Sequence, residues 1–343
     1  MTKILVTGGI GLVGSCVVEH LLEHGYQVRV IDRQPAEELR PDLRELLAQS
    51  EYAVCDINDI DGLRVQMRGC DQVVHMAALA SPVVGAPEEV FRVNAEGTFK
   101  VFQAAAEAGI KRVVQASSIN ALGLYYGVRN TDPLYFPVDE EHPHQGTDAY
   151  SFSKWVVEEI GEYFWRREGI SSVALRFPGV IPPQWREEWG EFLGKNDLVE
   201  RLLNLPEPAR RAWVADALAE IDGLRRQRLM ESRAFHDSIF GPNPPLPPEK
   251  VWLLGTRNNL FTLIDTRDAS QAVEKGLRAA YEGAHALFVN DKNNTAGYES
   301  EVLLDLFYPE IKARKHALVG QESLVSIAKA RRLIGFEPEF GWS

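Results

Sequence analysis

The stretch DAYSFSKWVVEE places Tyr150 and Lys154 four residues apart in a segment with helical character. Side chains at positions i and i+4 are neighbours on one face of a helix. A tyrosine hydroxyl, with a usual pKa of about 10, is a poor base at neutral pH, but nearby positive charge from an ammonium and a bound nicotinamide lowers that pKa. The pair can therefore form a general base that takes a proton from a carbinol. By itself the spacing favours an ordinary helix-surface pair, so other residues must decide.

Two serines form a second group of residues that could take part in a reaction. Ser117 and Ser118 end the apolar run RVVQASS, which we predict to be a strand. Open α/β sheets bind ligands at the carboxyl edge of their strands. A serine hydroxyl at that edge can hydrogen-bond a substrate oxygen as charge develops on it. If the helix carrying Tyr150 packs beside this strand, the cluster is suited to hydride transfer, with Lys154 also holding the nicotinamide ribose.

A glycine-rich loop indicates the cofactor. In VTGGIGLVG, the residues Gly9, Gly11 and Gly14 match GxGxxG, directly after a predicted strand and at the start of a predicted helix. Glycines there allow a tight turn and let a pyrophosphate approach the backbone and the helix N-terminus. A glycine turn needed only for strand–helix packing is the alternative.

The acid that follows the loop bears on which dinucleotide binds. Asp32 ends the second predicted strand, 18 residues after Gly14, as expected for a side chain that binds the adenosine ribose hydroxyls. Its charge would repel a 2′-phosphate, which favours NAD over NADP. Arg33 could instead serve such a phosphate, and Asp32 could simply cap a turn.

The elements that position these groups follow an alternating pattern. The strands KILVT, YQVRVID, YAVCD, QVVHMAA, RVVQASS and SSVALRF are separated by amphipathic helices. This alternation predicts the α/β class, a Rossmann-type doubly wound parallel sheet. We expect residues 1–177 to form an NAD-binding domain and 178–343 mostly a smaller C-terminal substrate lobe, with some segments returning to the sheet. Within the lobe, VWLLG, LFTLID and ALFVN are predicted to be strands.

Composition excludes several classes of protein. The chain has 343 residues, is 45% hydrophobic and 25% charged, and carries a net charge of −12. So acidic a protein is unsuited to sequence-independent nucleic-acid binding. The three scattered cysteines show no metal-like spacing, and no metal site is predicted. No signal peptide or membrane span is evident, so a cytoplasmic protein is the default.

With these pieces together, the chain resembles extended short-chain dehydrogenases/reductases of the NAD-dependent epimerase/dehydratase family. The resemblance rests on TGGIGLVG, HMAA, VNAEGT, ASSINALG, YSFSK and LRFPGV, in that order. It implies that Ser118, Tyr150 and Lys154 are catalytic. The cofactor-binding residues that it and the loop imply are Gly8, Gly9, Ile10, Gly11, Leu12, Val13, Gly14, Asp32, Arg33, Asp56, Ile57, Ala77, Ala78, Asn94, Ser117, Tyr150, Lys154, Pro178 and Val180.

The reaction and substrate remain open at this level. Ile119 and Asn120 stand where dehydratases of the family carry an acidic pair, so dehydration is set aside. Gly179 replaces an asparagine that many nucleotide-sugar epimerases carry. We expect an NAD-dependent oxidoreductase acting on a sugar or sugar acid; alternatives are a nucleotide-sugar epimerase that recycles bound NAD and a non-catalytic NAD-sensing regulator.

Three further expectations concern the substrate and the assembly. Ser118, Asn120 and Arg267 are candidate substrate contacts, and Arg176 or Arg267 could pair with a carboxylate or form structural salt bridges. Trp185, Trp189 and Trp213 could cover a sugar ring, although core positions are favoured.

The resemblance implies a homodimer through helices 88–108 and 150–168, with candidate contacts at Val93, Phe102, Val157 and Tyr163.

Overall fold

A seven-stranded parallel sheet forms the centre of the computed structural model, which describes residues 2–194, 197–239, 241 and 243–341. The spatial order is β3-β2-β1-β4-β5-β6-β9, and β7 pairs with β8 in a separate parallel ribbon. The strands are β1 (Lys3–Thr7), β2 (Gln27–Asp32), β3 (Glu51–Val54), β4 (Gln72–His75), β5 (Arg112–Ser118), β6 (Ser171–Phe177), β7 (Gly179–Ile181), β8 (Leu263–Asp265) and β9 (Ala284–Phe288). The predicted doubly wound sheet is confirmed.

Helices cover both faces of this sheet and also form the lobe that follows β7. They are α1 (Leu12–Glu23), α2 (Pro41–Leu47), α3 (Ile60–Met67), α4 (Pro87–Phe91), α5 (Gly97–Glu107), α6 (Ala149–Glu168), α7 (Arg186–Gly194), α8 (Leu198–Leu203), α9 (Glu207–Arg226), α10 (Arg233–Ile239), α11 (Pro248–Arg257), α12 (Thr266–Arg278), α13 (Ser300–Phe307) and α14 (Ala328–Ile334). A π-helical turn, Arg92–Glu96, joins α4 to α5. None of the described helices combines the length and apolar character needed to cross a membrane.

The strands are apolar at successive positions because both faces of the sheet are buried. Along β1, Ile4 and Val6 pack with α1, α12 and α14, whereas Leu5 packs with α3, α5 and α6 on the opposite face. Side chains of a strand alternate between faces, so a sheet covered on both sides needs continuous apolar runs. This is the pattern from which the parallel sheet was predicted.

A second apolar core lies between the sheet and the helices after β7. Residues of α8, α9, α11 and α13 bury their apolar side chains there, together with Phe288 of the main sheet. The prediction of a strand at VWLLG is wrong, because these residues belong to α11. They are buried around most of the helix, so their apolar run could not distinguish a buried strand from a buried helix. Pro248 at the first helical position was the available helix signal.

The two other strands predicted in this half are present. β8 lies within LFTLID and forms the short ribbon with β7, while β9 lies within ALFVN and completes the main sheet beside β6. The stretch ARRAWVADALAEIDGLRRQRLMESRAF is predicted from its sequence to be helical. The structure divides it between α9 and the start of α10, with the short 3₁₀ turn Leu229–Glu231 between them. The C-terminal half therefore contributes both a separate core and one strand of the central sheet.

Candidate active site

The glycine loop packs closely against the backbone at the end of β4. Gly8 has φ +70°, and a Cβ atom there would lie 2.5 Å from the Ala77 amide nitrogen. A Cβ on Gly14 would lie 2.0 Å from the Gly8 carbonyl oxygen. Non-glycine residues cannot be accommodated at either position without moving backbone, so these glycines are required by the protein's own packing.

Gly11 has a different environment. A Cβ there would meet only the Gly8 carbonyl oxygen, at 3.3 Å, and Gly11 lines the cleft beside the loop. It immediately precedes α1, and the first-turn residues Leu12, Val13 and Gly14 of that helix also line the cleft. Backbone donors at a helix N-terminus suit a pyrophosphate. The loop therefore fits a dinucleotide.

Two connected cavities extend from this loop. The larger, of about 570 Å³, runs past the carboxyl ends of β5 and β6 to the helices of the second core. The smaller, of about 230 Å³, lies beside Asp32, Arg33 and Asp56. Gly8 and Gly11 line both cavities. Together they form one elongated cleft along the sheet's carboxyl edge, where a dinucleotide could lie with its pyrophosphate at the loop.

The sequence brings Tyr150 and Lys154 into the wall of the larger cavity. The Asp148 carboxylate accepts a hydrogen bond from the Ser151 amide at 2.8 Å and caps α6, so both residues lie near the beginning of that helix. They are 5% and 4% exposed, respectively. The Lys154 ammonium donates a 2.9 Å hydrogen bond to the Ala116 carbonyl oxygen of β5, which fixes it between strand and helix.

Burial dominates the electrostatics of the pair. It raises the pKa of Tyr150 to about 12, against a lowering hydrogen bond with Ser118. Asp148 adds to this rise, and the lowering contribution comes from Ser118 rather than from Lys154. Lys154 Nζ lies 5.9 Å from the centre of the Tyr150 ring. Burial also lowers the pKa of Lys154 to about 8, while the Glu158 carboxylate acts in the opposite direction.

The two serines have separate surroundings. Ser118 lines the cavity, and its Oγ accepts a hydrogen bond from the Asn120 amide at 3.1 Å. Ser117 Oγ donates to the Glu158 carboxylate at 2.6 Å. The Arg176 guanidinium donates two hydrogen bonds to the same carboxylate, of 2.9 and 2.8 Å. Ser117 and Arg176 are therefore parts of a buried support behind Lys154, and the predicted carboxylate partner of Arg176 is the protein's own Glu158.

A buried hydrogen-bond chain connects the glycine loop to α6. His75 Nδ1 lies 2.7 Å from the hydroxyl of Thr7, the residue before the loop, and His75 Nε2 lies 2.9 Å from the Thr98 hydroxyl. Thr98 in turn donates to the Asn94 carbonyl oxygen. The Asn94 amide donates to Ser153 Oγ at 3.0 Å, within α6. Burial lowers the pKa of His75 to about 3, so this ring stays neutral.

The far wall of the larger cavity is aromatic and comes from several segments. Its side chains include Tyr125, Tyr126, Trp189, Phe192, Phe261 and Thr295. The Tyr126 ring meets the Tyr150 ring edge-on, with 5.8 Å between their centres. Phe261 has φ +50°, a sparsely populated conformation for a bulky residue, and such conformations concentrate at functional sites.

Residues 4–191 match the NAD-dependent epimerase/dehydratase family. The chain belongs to this family. The resemblance inferred from the motifs is confirmed, and the match covers the glycine loop, both serines, Tyr150 and Lys154.

The curated relatives match this chain over part of their length. A uronate dehydrogenase from Pseudomonas syringae pv. tomato is 29% identical over 210 residues, 60% of this chain and 70% of that protein. Cinnamoyl-CoA reductase 1 from Petunia hybrida is 41% identical over 181 residues, 50% of this chain and 52% of the reductase. The chain spans about half the length of most of the curated relatives it matches.

A solved short-chain dehydrogenase/reductase superfamily protein from Agrobacterium tumefaciens, with bound NAD, has the same fold. It superposes with a TM-score of 0.62 at 23% identity, covering 99% of this chain and 93% of that one. The likeness extends over both halves of the chain, including the helices beyond the family match.

Most of the family-implied residues lie together in the cleft. Those lining one or both cavities are Gly8, Ile10, Gly11, Leu12, Val13, Gly14, Asp32, Arg33, Asp56, Ile57, Ala77, Ala78, Ser117, Ser118, Asn120, Tyr150, Lys154, Pro178 and Val180. Gly9 and Asn94 are not among the lining residues; a Cβ on Gly9 would lie 2.4 Å from a Val30 methyl group, and Asn94 belongs to the buried chain. These two residues support the cleft from behind.

Arg267 is not brought to the cleft. Its guanidinium makes two hydrogen bonds with the Asp265 carboxylate, of 2.9 and 2.8 Å, and stacks on the Phe340 ring at 3.7 Å. The predicted substrate contact is therefore replaced by a structural ion pair between β8 and α12. This ion pair is the structural salt bridge that the sequence analysis gave as the alternative for Arg267.

The tryptophans separate into three environments. Trp189 lines the larger cavity, Trp185 is 43% exposed, and Trp213 packs against the second core. Trp189 also packs against a small apolar cluster of Ile181, Leu193 and Leu263. The core interpretation therefore does not hold for the exposed Trp185. Tyr125 and Tyr126 were missed, although the run ALGLYYG directly after the serine strand was a usable signal.

Proposed function

We propose that this protein is an NAD-dependent oxidoreductase that removes a hydride from a secondary carbinol, with Tyr150 as the general base. The observation that carries the proposal is the convergence of Ser118, Tyr150 and Lys154 on one cavity wall, adjacent to a glycine loop that fits a dinucleotide. NAD, when bound, supplies the hydride acceptor and a positive charge on its nicotinamide ring. The convergence also argues against a purely NAD-sensing role, which needs none of these three groups.

In this mechanism the protein's residues hold the substrate oxygen and move its proton. Ser118 Oγ and Tyr150 Oη would both hydrogen-bond the reacting oxygen, and Tyr150, as a phenolate, would accept its proton and become the neutral phenol. With a pKa raised to about 12, Tyr150 needs nearby positive charge to act as a phenolate at neutral pH. Lys154 supplies such charge from the next turn of α6, and Glu158 behind it favours the ammonium form.

NAD is the proposed cofactor rather than NADP. Asp32 and Arg33 both line the smaller cavity, and Asp32 Oδ1 accepts the Arg33 amide hydrogen at 2.7 Å. A carboxylate at the end of β2 accepts hydrogen bonds from ribose hydroxyls and repels a 2′-phosphate. Arg33 is exposed at the rim, so we assign the preference to Asp32.

The proposed substrate is an uncharged sugar or a neutral alcohol of similar size. Lys154 is the only lysine or arginine among the described residues that line the larger cavity. Arg176 and Arg267, the candidates for a carboxylate partner, are each bound to a carboxylate of the protein. The likeness to a uronate dehydrogenase supports oxidation of a sugar carbinol, but the aromatic far wall favours the apolar face of a neutral ring over an acid.

The test is cofactor reduction by the purified full chain with a panel of neutral sugars, uronates and nucleotide-linked sugars. We expect NADH formation with a neutral sugar and a strong preference for NAD over NADP. Conversion of a nucleotide-linked sugar to its epimer without net NADH would replace this proposal with the epimerase alternative. No cofactor reduction with any alcohol in the panel would overturn the dehydrogenase assignment.

We also propose a homodimer formed through α5 and α6. Of the four predicted contacts, Val93, Phe102 and Val157 are buried in the chain's own core, and Tyr163 is 37% exposed. Phe99, Phe152 and Trp155 join Tyr163 as large, partly exposed aromatic residues on these two helices. Light scattering after size exclusion should give twice the chain mass, and a Tyr163→Glu variant should shift the mass toward one chain. A monomeric wild type would contradict the proposal.

A further inference from the structure

Three side chains of metal-binding types, two histidines and one glutamate, meet at the C-terminal end of α1. His20 and His24 lie one turn apart on that helix, and Glu274 reaches them from α12, 254 residues further along the chain than His20. His20 Nε2, His24 Nε2 and a Glu274 carboxylate oxygen all lie within 4.8 Å of one another. We propose that these three residues bind a divalent transition-metal ion, for which Zn²⁺ is the best match.

The separations suit one small ion. His20 Nε2 is 2.9 Å and His24 Nε2 is 3.9 Å from the same oxygen, Glu274 Oε2. With zinc–ligand distances of about 2.0–2.1 Å, ligand atoms around a tetrahedral ion lie roughly 3.3 Å apart. The two observed distances bracket this value, so rotations of the side chains can place all three atoms on one ion. The fourth position would be taken by water, because His24 is half-exposed.

The hydrogen bonds around the histidine rings favour metal coordination through the Nε2 atoms. His24 Nδ1 lies 2.7 Å from the His20 carbonyl oxygen, so Nδ1 carries the hydrogen and the Nε2 lone pair faces Glu274. A ligating histidine commonly donates its other N–H to a backbone carbonyl in this way, which fixes the ring and its tautomer. Arg278 donates to the other carboxylate oxygen, Oε1, at 3.2 Å, and leaves Oε2 for the ion. The proton shared by His20 and Glu274 would pass to solvent as the metal–nitrogen and metal–oxygen bonds form.

The donor set determines the class of ion. Two imidazole nitrogens and one carboxylate oxygen are typical of zinc and related first-row divalent ions, whereas Mg²⁺ and Ca²⁺ prefer oxygen ligands alone. The site would connect α1, which begins at the glycine loop, to α12 of the C-terminal half. It lies about 12 to 18 Å along α1 from that loop, at 1.5 Å per residue. Such an ion would tie the two helices together rather than act in the cleft.

The experiment is a titration of the EDTA-treated full chain with ZnCl₂ by calorimetry, and with CoCl₂ by visible absorption. We expect one ion per chain, and cobalt bands of the intensity that four-coordinate sites give. Partners outside the first coordination sphere already contribute about 10- to 100-fold to affinity. A His24→Ala variant, which removes a ligand but keeps the His20–Glu274 contact, should therefore weaken zinc binding more than about tenfold.

A His316→Ala variant is the matched control. His316 forms a single pair with Glu322 at 3.1 Å, so its loss should leave zinc affinity unchanged. Glu274→Gln, which preserves the side chain's size, provides a second ligand variant. Absence of one-to-one binding in the wild type, or unchanged affinity in both His24→Ala and Glu274→Gln, would overturn the proposal. Because the readout is metal binding itself, the outcome does not depend on the proposed oxidoreductase activity.

Discussion

On the cofactor side of the cleft, backbone atoms approach so closely that a Cβ on Gly8 or Gly14 would lie within 2.5 Å of another backbone atom. The substrate side is built differently, from the side chains of separate segments around Tyr126, Trp189 and Phe261. The first arrangement fixes residue types through the backbone, whereas the second leaves each side chain free to vary in size and polarity. We infer that cofactor binding is resistant to change and that substrate choice is set by a few replaceable side chains.

The largest expected effect concerns a glycine on the cofactor side. Gly14→Ala places a methyl group 2.0 Å from the Gly8 carbonyl oxygen and should lower the free energy of unfolding by about 3 kcal/mol or more. The matched control is Gly190→Ala in α7, where a Cβ meets no atom within 4 Å and alanine's higher helix propensity should be neutral or stabilising. Urea denaturation measures both. Equal effects would contradict the contrast between the two sides.

A second effect should come from the buried chain behind the cofactor side. Asn94 binds both the amide and the carbonyl of Leu79, at 2.8 and 3.0 Å. Asn94→Ala leaves these part-buried backbone groups without their partner and should cost about 1 to 3 kcal/mol of stability. Asn120→Ala, at the cavity wall, should change stability by less than about 0.5 kcal/mol. A stable Asn94→Ala protein would show that the chain does not hold α6 in place.

On the substrate side, a substitution is expected to change the KM for the substrate and not the dissociation constant of NAD. Trp189→Ala removes an aromatic wall and should raise KM about tenfold, as expected for lost apolar contact, while the NAD dissociation constant stays unchanged. Trp185→Ala, at a neighbouring but exposed position, should alter neither. Steady-state kinetics and NAD titration distinguish these effects. A loss of NAD affinity in Trp189→Ala would mean that the two sides are not separable.

The smallest expected effect is a pH dependence of stability from His75. Its pKa is lowered from 6.5 to about 3 in the folded protein, so between these values the unfolded state binds the extra proton. Stability should therefore fall as pH decreases below 6.5, by at most about 1.4 kcal/mol per pH unit from this residue. Comparison of wild type with His75→Gln by denaturation at pH 6.5 and 5.5 measures the difference in slope. If the free energy of unfolding changes equally with pH in the two proteins, His75 is protonated and solvated in the folded protein.

The same contrast explains what the sequence could predict. The glycine loop and the serine strand could be recognised from short-range spacing. The spacing of Tyr150 and Lys154 alone favours an ordinary helix pair, and the order of the other motifs was needed to interpret it. VWLLG was misassigned because a helix buried around most of its circumference has the apolar content of a buried strand. For Arg267 the sequence allowed either a substrate contact or a structural salt bridge, and the side-chain geometry selects the ion pair with Asp265.

The meeting of residues that lie far apart in the sequence could not be predicted from spacing. Trp189, Phe261 and Thr295 meet in one cavity wall only after the second core has formed. The pair His20 and His24 has helical i, i+4 spacing that the sequence displays, but Glu274 comes to it from α12. Sequence spacing thus identifies pairs within one element, and folding is needed to add the third group.

The central claim, that Tyr150 is the base in a carbinol oxidation dependent on NAD, is tested most directly by Tyr150→Phe. The account predicts that turnover falls by about 10²- to 10⁴-fold, the usual contribution of general acid–base catalysis, while NAD still binds with wild-type affinity. Tyr163→Phe, a change of the same chemistry at an exposed position of α6, should retain turnover. Wild-type turnover in Tyr150→Phe would contradict the account.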